Sequence, residues 1–256
     1  KGIDTKNRVF SLNAVALTKA DINLIYYEAD SNLNLQFIID HFSSASVDTT
    51  SSKPWSIVCT NLRLRDNHFV YRDERYMEPG IGIDFSDMDF SKINLELNDI
   101  AIQGDSIIAG ISQLACNEKS GLALSDFSTS AVVCPRGISA DNLQFTTSNS
   151  RISMDLKFEY ANWNAYNYFL DSVLVVADIR PSQLDMQDIV YFAPDIVGMK
   201  EVFDLSGKVR GTVSSFNARD FKLQFADTQF EGDIIMNGLP NWDETFVNLK
   251  IDKLTT

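Results

Sequence analysis

The chain has 256 residues, 45% of them hydrophobic and 22% charged, and a net charge of −13. This composition suits a globular protein with a buried core, and the charge excludes a phosphate-backbone partner, which needs a concentrated basic face. No apolar run approaches the roughly 18 residues of a bilayer-spanning helix.

In chain order, alternation predicts strands at Val9–Leu12 and Asp21–Tyr27, where Ile22, Leu24 and Tyr26 share a face. Asn32–Phe42 breaks that period. Leu35, Ile38 or Ile39, and Phe42 recur at helical spacing, so a short helix is expected, followed by a Ser/Thr-rich loop over Ser43–Pro54. Strand patterns then dominate: Trp55–Leu64, Phe69–Tyr71, Ile81–Phe85, Met88–Leu97, Ile100–Gln103, Ser106–Leu114, Gly121–Leu124, Ser128–Val133, Ser139–Thr147 and Arg151–Tyr160. Asn162–Leu170 is aromatic and fits neither period. Val173–Ile179 predicts a strand, and Ser182–Phe192 a helix with Pro181 before it, Ser182 as N-cap and Pro194 beyond it. The remaining strands are Val202–Val213, Asp220–Ala226, Gln229–Asn237 and Thr245–Ile251, with Gly207 and Gly211 marking bulges or close backbone contact. The fold class expected is mainly β and mostly antiparallel, with two or three short helices. The expected organisation is one elongated region over 1–256, with 1–160 and 161–256 as sub-units if it divides.

Motifs for chemistry are sparse. The chain lacks GxSxG, GxxxxGK[ST], HExxH and GxGxxG patterns. His41 and His68 read as structural histidines. Cys59, Cys116 and Cys134 show no CxxC spacing; they read as free thiols, or as one disulfide plus one free thiol. Asp84, Asp87 and Asp89 cluster, with Asp87 and Asp89 on one strand face, but the calcium-loop glycine is missing. The cluster is expected to be a solvated edge. No catalytic residue, metal or cofactor is expected, although paired carboxylates for glycoside hydrolysis can meet only in three dimensions.

The informative feature is a degenerate repeat. Leu143-Gln144-Phe145, a polar turn and Ile152–Phe158 recur as Leu223-Gln224-Phe225, a turn and Phe230–Met236, with looser copies starting at Leu62 and Leu95. One face of the first copy carries Leu143, Phe145, Ile152, Met154, Leu156 and Phe158. One face of the second carries Phe221, Leu223, Phe225, Phe230, Ile234 and Met236. Periodicity alone favours two such faces closing as an ordinary sandwich core.

Leu205-Ser206-Gly207-Lys208-Val209-Arg210-Gly211-Thr212-Val213 runs into Phe216-Asn217-Ala218, then Leu223-Gln224-Phe225, Phe230-Glu231-Gly232 and Gly238-Leu239-Pro240. With Glu118–Leu122, Thr146–Ser150, Trp55–Ile57 and Leu33–Phe42 upstream, this series resembles the AsmA-like superfamily, and within it the TamB-type proteins of the Bacteroidota. The resemblance implies a periplasmic segment of a chain anchored in the inner membrane, with the anchor outside this piece. It implies stacked strands curled into an open trough, like the chorein-type lipid bridges. The trough would carry phospholipid acyl chains on the two apolar faces just named. An Omp85-type outer-membrane barrel is the further partner it implies, for a protein-assembly scaffold that holds strands at an open sheet edge.

Hydrating an acyl chain costs about 0.8 kcal/mol per CH₂, so two chains of roughly fifteen carbons cost on the order of 20 kcal/mol. An uncharged trough removes most of that. About sixteen strands at roughly 4.8 Å spacing would extend about 75 Å. The rival readings are a secreted adhesin or carbohydrate-binding sandwich displaying Trp163, Tyr166 and Tyr168, and a jelly-roll hydrolase.

Overall fold

A computed structural model describes residues 2–30, 32–37, 54–76 and 80–256. They build one 14-stranded sheet. Its strands are β1 (Gly2–Asp4), β2 (Val9–Thr18), β3 (Asp21–Tyr26), β4 (Ser56–Asp73), β5 (Asp87–Gln103), β6 (Ser106–Glu118) and β7 (Ala123–Cys134). They continue with β8 (Gly137–Thr147), β9 (Arg151–Glu159), β10 (Leu174–Asp185), β11 (Val202–Gly211), β12 (Ser215–Phe225), β13 (Thr228–Asn237) and β14 (Phe246–Thr255). From β4 to β14 the order in space is the order in the chain, and every neighbouring pair is antiparallel. β2 and β3 lie end to end along β4, both parallel to it, and β1 pairs antiparallel with β2. The ends of the curled sheet are not joined, so it is not a barrel. The expected fold class, mainly β and mostly antiparallel with two or three short helices, is the observed one, with two helices.

Several predicted strands fuse, which is why there are fourteen rather than about sixteen. Trp55–Leu64 and Phe69–Tyr71 become the single β4, and Met88–Leu97 and Ile100–Gln103 become β5. What looked like interruptions are bulges. Asp66, Lys92, Asp99, Asn142 and Asp220 take left-handed backbone conformations where the register shifts. A bulge breaks the two-residue period without ending the strand. Gly207 and Gly211 sit at the predicted close approaches: a Cβ on Gly211 would lie 2.3 Å from the Ser215 carbonyl oxygen.

Other boundaries moved. Ile81–Phe85 is not a strand. Of the helix expected at Asn32–Phe42, residues 32–37 are described, with helical backbone at Gln36 and Phe37; the rest of it, and nearly all of the Ser43–Pro54 loop, lie outside the described residues. The helix expected over Ser182–Phe192 shrinks to Met186–Ile189. Ser182 belongs to β10, where its hydroxyl donates to the Arg180 carbonyl (2.7 Å) and accepts from Ser153 N–H (2.9 Å). Asp185 caps instead, accepting from Gln187 N–H at 2.8 Å.

The break between β2 and β3 is filled by Asn67, which is 1% exposed. Its Oδ1 accepts from Ala20 N–H and its Nδ2 donates to the Leu17 carbonyl, so one side chain replaces the missing ladder. Val173 is fully buried. The other well-buried apolar residues include Ala140, Leu143, Ala177, Ala218 and Phe230 on β8, β10, β12 and β13.

Candidate functional site: the apolar face of the sheet

Residues directly paired across a ladder project to the same side of a sheet, so the registers assign every side chain to a face. One row crosses all thirteen strands of the main path: Ile3, Phe10, Ile57, Ile102, Ile107, Val133, Ile138, Phe158, Val175, Gly211, Phe216, Met236 and Val247. A second runs from β6 to β14 through Ala109, Ala131, Ala140, Leu156, Ala177, Val209, Ala218, Ile234 and Leu249. Neither row contains a polar or charged side chain.

Every predicted lining residue falls on this face. Phe145 pairs with Ile152, Leu143 with Met154, and Leu156 and Phe158 stand in the two rows. Leu223 pairs with Phe230 and Phe225 with Phe203, Phe221 faces Gly232, and Ile234 and Met236 stand in the same two rows. The two hairpins therefore share one surface. A closed sandwich would need a second sheet against it, and the described strands form only one. Most lining residues are half-buried, shielded by neighbours of their own sheet. Ala140, Ala177 and Ala218 of the second row are deeper because larger side chains flank them: Ala218 is 2% exposed. On β14 no described residue covers the face, and Val247, Leu249, Ile251 and Leu254 are about half exposed.

The sequence reading missed most of this surface, namely the contributions of β1–β7, β10, β11 and β14. In β10 the run Leu174–Ala177 is apolar on both sides, so alternation gives no phase. In β4 and β5 the bulges reset it.

Two connections lean on the apolar face. Between β9 and β10, a 3₁₀ helix at Trp163–Tyr168 leads into a helix at Phe169–Ser172. Phe169 stands edge-on to Phe158 at 5.6 Å, while Tyr166 meets Tyr160 at 5.1 Å and Trp163 at 6.1 Å. Tyr160 donates to the Cys134 carbonyl at 2.9 Å, and burial pushes its phenol up to about 12. Trp163 and Tyr166 thus pack on Tyr160, and of the predicted aromatic platform Tyr168 stands most exposed.

At the other end, the segment after β10 forms a strap. Buried Asp188 accepts from the Thr147 hydroxyl at 2.5 Å and from Asn149 Nδ2 at 3.2 Å. The Tyr191 carbonyl accepts from Ile83 N–H at 2.9 Å, tying the strap to the chain just ahead of β5.

The opposite face is ionic. Arg63 and Arg65 meet Glu96, Arg180 meets Asp155, Lys222 and Lys253 meet Glu231, and Lys250 meets Asp233. Asp87 and Asp89 do share this face. Asp87 lies between Lys119 (2.6 Å) and Arg72 (3.0 Å), whose hydrogen bonds, Lys119's foremost, hold its carboxyl below the usual range. Asp89 bonds His68 at 2.8 Å, and Asp84 accepts from Ser86 N–H. His41 lies outside the described residues. Among the described residues no group of His, Cys, Asp and Glu is placed to hold a metal ion.

Cys59, Cys116 and Cys134 are free, and burial raises the Cys116 thiol. Hollows of about 530 Å³ (β9–β13) and 660 Å³ (β9–β12) open among charged side chains of the ionic face. No described helix is long and apolar enough to cross a membrane. No protein-family model, curated protein or solved structure matches the chain.

Proposed function

We propose that this chain is a non-catalytic segment of an AsmA/TamB-like envelope protein, and that its apolar face carries phospholipid acyl chains through the periplasm between inner and outer membrane. One observation supports this reading above the rest: a row of thirteen residues, one from every strand of the main path, twelve of them apolar side chains and the thirteenth Gly211, without a single polar side chain. An ordinary core needs apolar residues only where two layers meet. A carrier of hydrocarbon needs them without interruption along the direction of travel, because one charge on the path is a barrier of several kcal/mol. The ionic opposite face keeps the sheet in water.

The test is lipid extraction and native mass spectrometry on the purified chain, with Leu156→Asp and Ile234→Asp as variants. We expect co-purified phospholipid in the parent and its loss in both variants, with unchanged circular dichroism. Lipid-free parent protein, or variants that keep their lipid, would sink the proposal.

A second reading, a scaffold for strands destined for an Omp85-type barrel, draws on β14, which is exposed along its whole length. It would make binding depend on that edge and leave the Leu156 and Ile234 variants active.

A further inference from the structure

On the ionic face many cations have a counter-charge across the ladder. Arg210 and Arg219 have none among the described residues. Lys208 and Arg210 project side by side from β11, and their partners on β12 are Arg219 and Asn217. Lys208 and Arg219 are thus like charges placed directly opposite each other, an arrangement that destabilises a sheet when nothing lies between them. Arg210, Arg219 and Asn217 make no ion pair or side-chain hydrogen bond with any described residue. Lys208 reaches one carboxylate, Asp178, at 4.0 Å, with both groups well exposed.

Of the nearby acids, Asp178 stands directly across the ladder from Lys208 and Asp220 follows Arg219 in β12, while the other two are engaged elsewhere. Asp155 is held by Arg180 and by Asn142 N–H, and Asp233 by Lys250 and by Asp220 N–H. The four side chains line the hollow of about 660 Å³, whose β9–β10 wall adds Lys157 and Val176. So a chain of net charge −13 places two guanidinium groups that make no ion pair with a described residue, Arg210 and Arg219, at one concave place, beside the lining carboxylates of Asp155, Asp178 and Asp220.

We propose that Lys208, Arg210, Asn217 and Arg219 bind a phosphate-bearing anion. Two guanidinium forks match phosphate oxygens in pairs, the ammonium adds a point charge, and the Asn217 amide supplies a neutral donor. An oxyanion between Lys208 and Arg219 removes their mutual repulsion. The phosphate belongs either to a free small molecule or to a lipid headgroup, and the site's chemistry is common to both. The proposal is independent of the conduit reading, since it uses the other face.

The test is calorimetric titration of the whole chain with inorganic phosphate and with glycerol phosphate at low ionic strength, beside flotation with phosphatidylcholine vesicles with and without phosphatidic acid. We expect saturable binding that falls at least tenfold in Arg210→Gln/Arg219→Gln. The ion-paired control Lys222→Gln/Lys250→Gln, with the same change in net charge, should retain it. Binding in solution supports the site with a free anion. Binding confined to phosphatidic acid vesicles supports it with a headgroup. Absence of saturable binding in both arms, or equal loss in the two double variants, overturns it. The single variant Arg219→Gln repeats the comparison should the double variant melt early.

Discussion

His68 bridges the parallel edge of the sheet. Its Nδ1 lies 3.0 Å from Asp21 on β3 and its Nε2 2.8 Å from Asp89 on β5, so only the imidazolium, with two N–H donors, satisfies both carboxylates. The hydrogen bond to Asp89 is the main cause of its raised pKa, followed by the charge of Asp89 and the contacts with Asp21, while desolvation opposes them. A folded value above the unfolded one means that this contribution is complete below the ordinary histidine value of about 6.5 and disappears as pH rises through the folded value. The protection factors of the Ile22–Tyr26 amides, taken against the base-catalysed intrinsic exchange rate at each pH, should therefore fall as the solution is taken from acid to alkaline. His68→Asn should abolish that fall, and protection factors that ignore pH in the parent would show that the bridge contributes nothing.

The same scale explains how far the repeat was legible. The Leu-Gln-Phe triplets suggested which residues correspond, but the bulges set the true correspondence two residues away. Left-handed Asn142 donates to Asp155, and left-handed Asp220 donates to Asp233. Beyond them Ala140 pairs with Leu156 as Ala218 pairs with Ile234. Alternation identified the faces correctly because it needs only parity; the position of a left-handed residue depends on an acceptor one strand away, which no local pattern records.

Among the elements, the strap after β10 has the least local support. Its helix is a single turn, too short to persist alone. It stays in place through Asp188 on Thr147 and Asn149, with Asp185 N–H donating to the Ser150 hydroxyl at 3.0 Å. Asp188→Ala leaves the Thr147 hydroxyl and the Asn149 amide without their partner. It should cost about 1–3 kcal/mol, read as a lower urea midpoint, with faster hydrogen exchange confined to 186–200. Loss of protection throughout the sheet instead would make the strap part of the global folding unit. The sequence overstated this helix for a physical reason. A Pro-Ser start reads as a cap, yet Pro181 sits at a bulge in β10, where a missing N–H costs no ladder bond.

For the whole molecule, one layer with one apolar face is the governing fact. Thirteen strands in series span on the order of 60 Å at about 4.8 Å each, and the apolar surface continues to the last of them. Leu249 and Leu254, 49% and 54% exposed on β14, leave a hydrophobic margin that water does not tolerate in large patches. We expect concentration-dependent self-association in sedimentation velocity, reduced by Leu249→Glu/Leu254→Glu without loss of strand signal. A parent chain that stays monomeric at high concentration would show that the curl already shields this margin.

The parallel placement of β2 and β3 also bears on the order of assembly. From β4 onward each strand meets the one just before it, so closure entropy is small and hairpins can zip one after another. β3 ends at Tyr26 and runs the same way as β4, which starts at Ser56, so the chain must travel back the length of β4 before the two can meet. β3 is thus made before β4 yet joins the sheet only after it. It waits for an edge made by residues the ribosome has yet to release, and pulse-labelled exchange during refolding should find the β3 amides protected after those of β8 and β9.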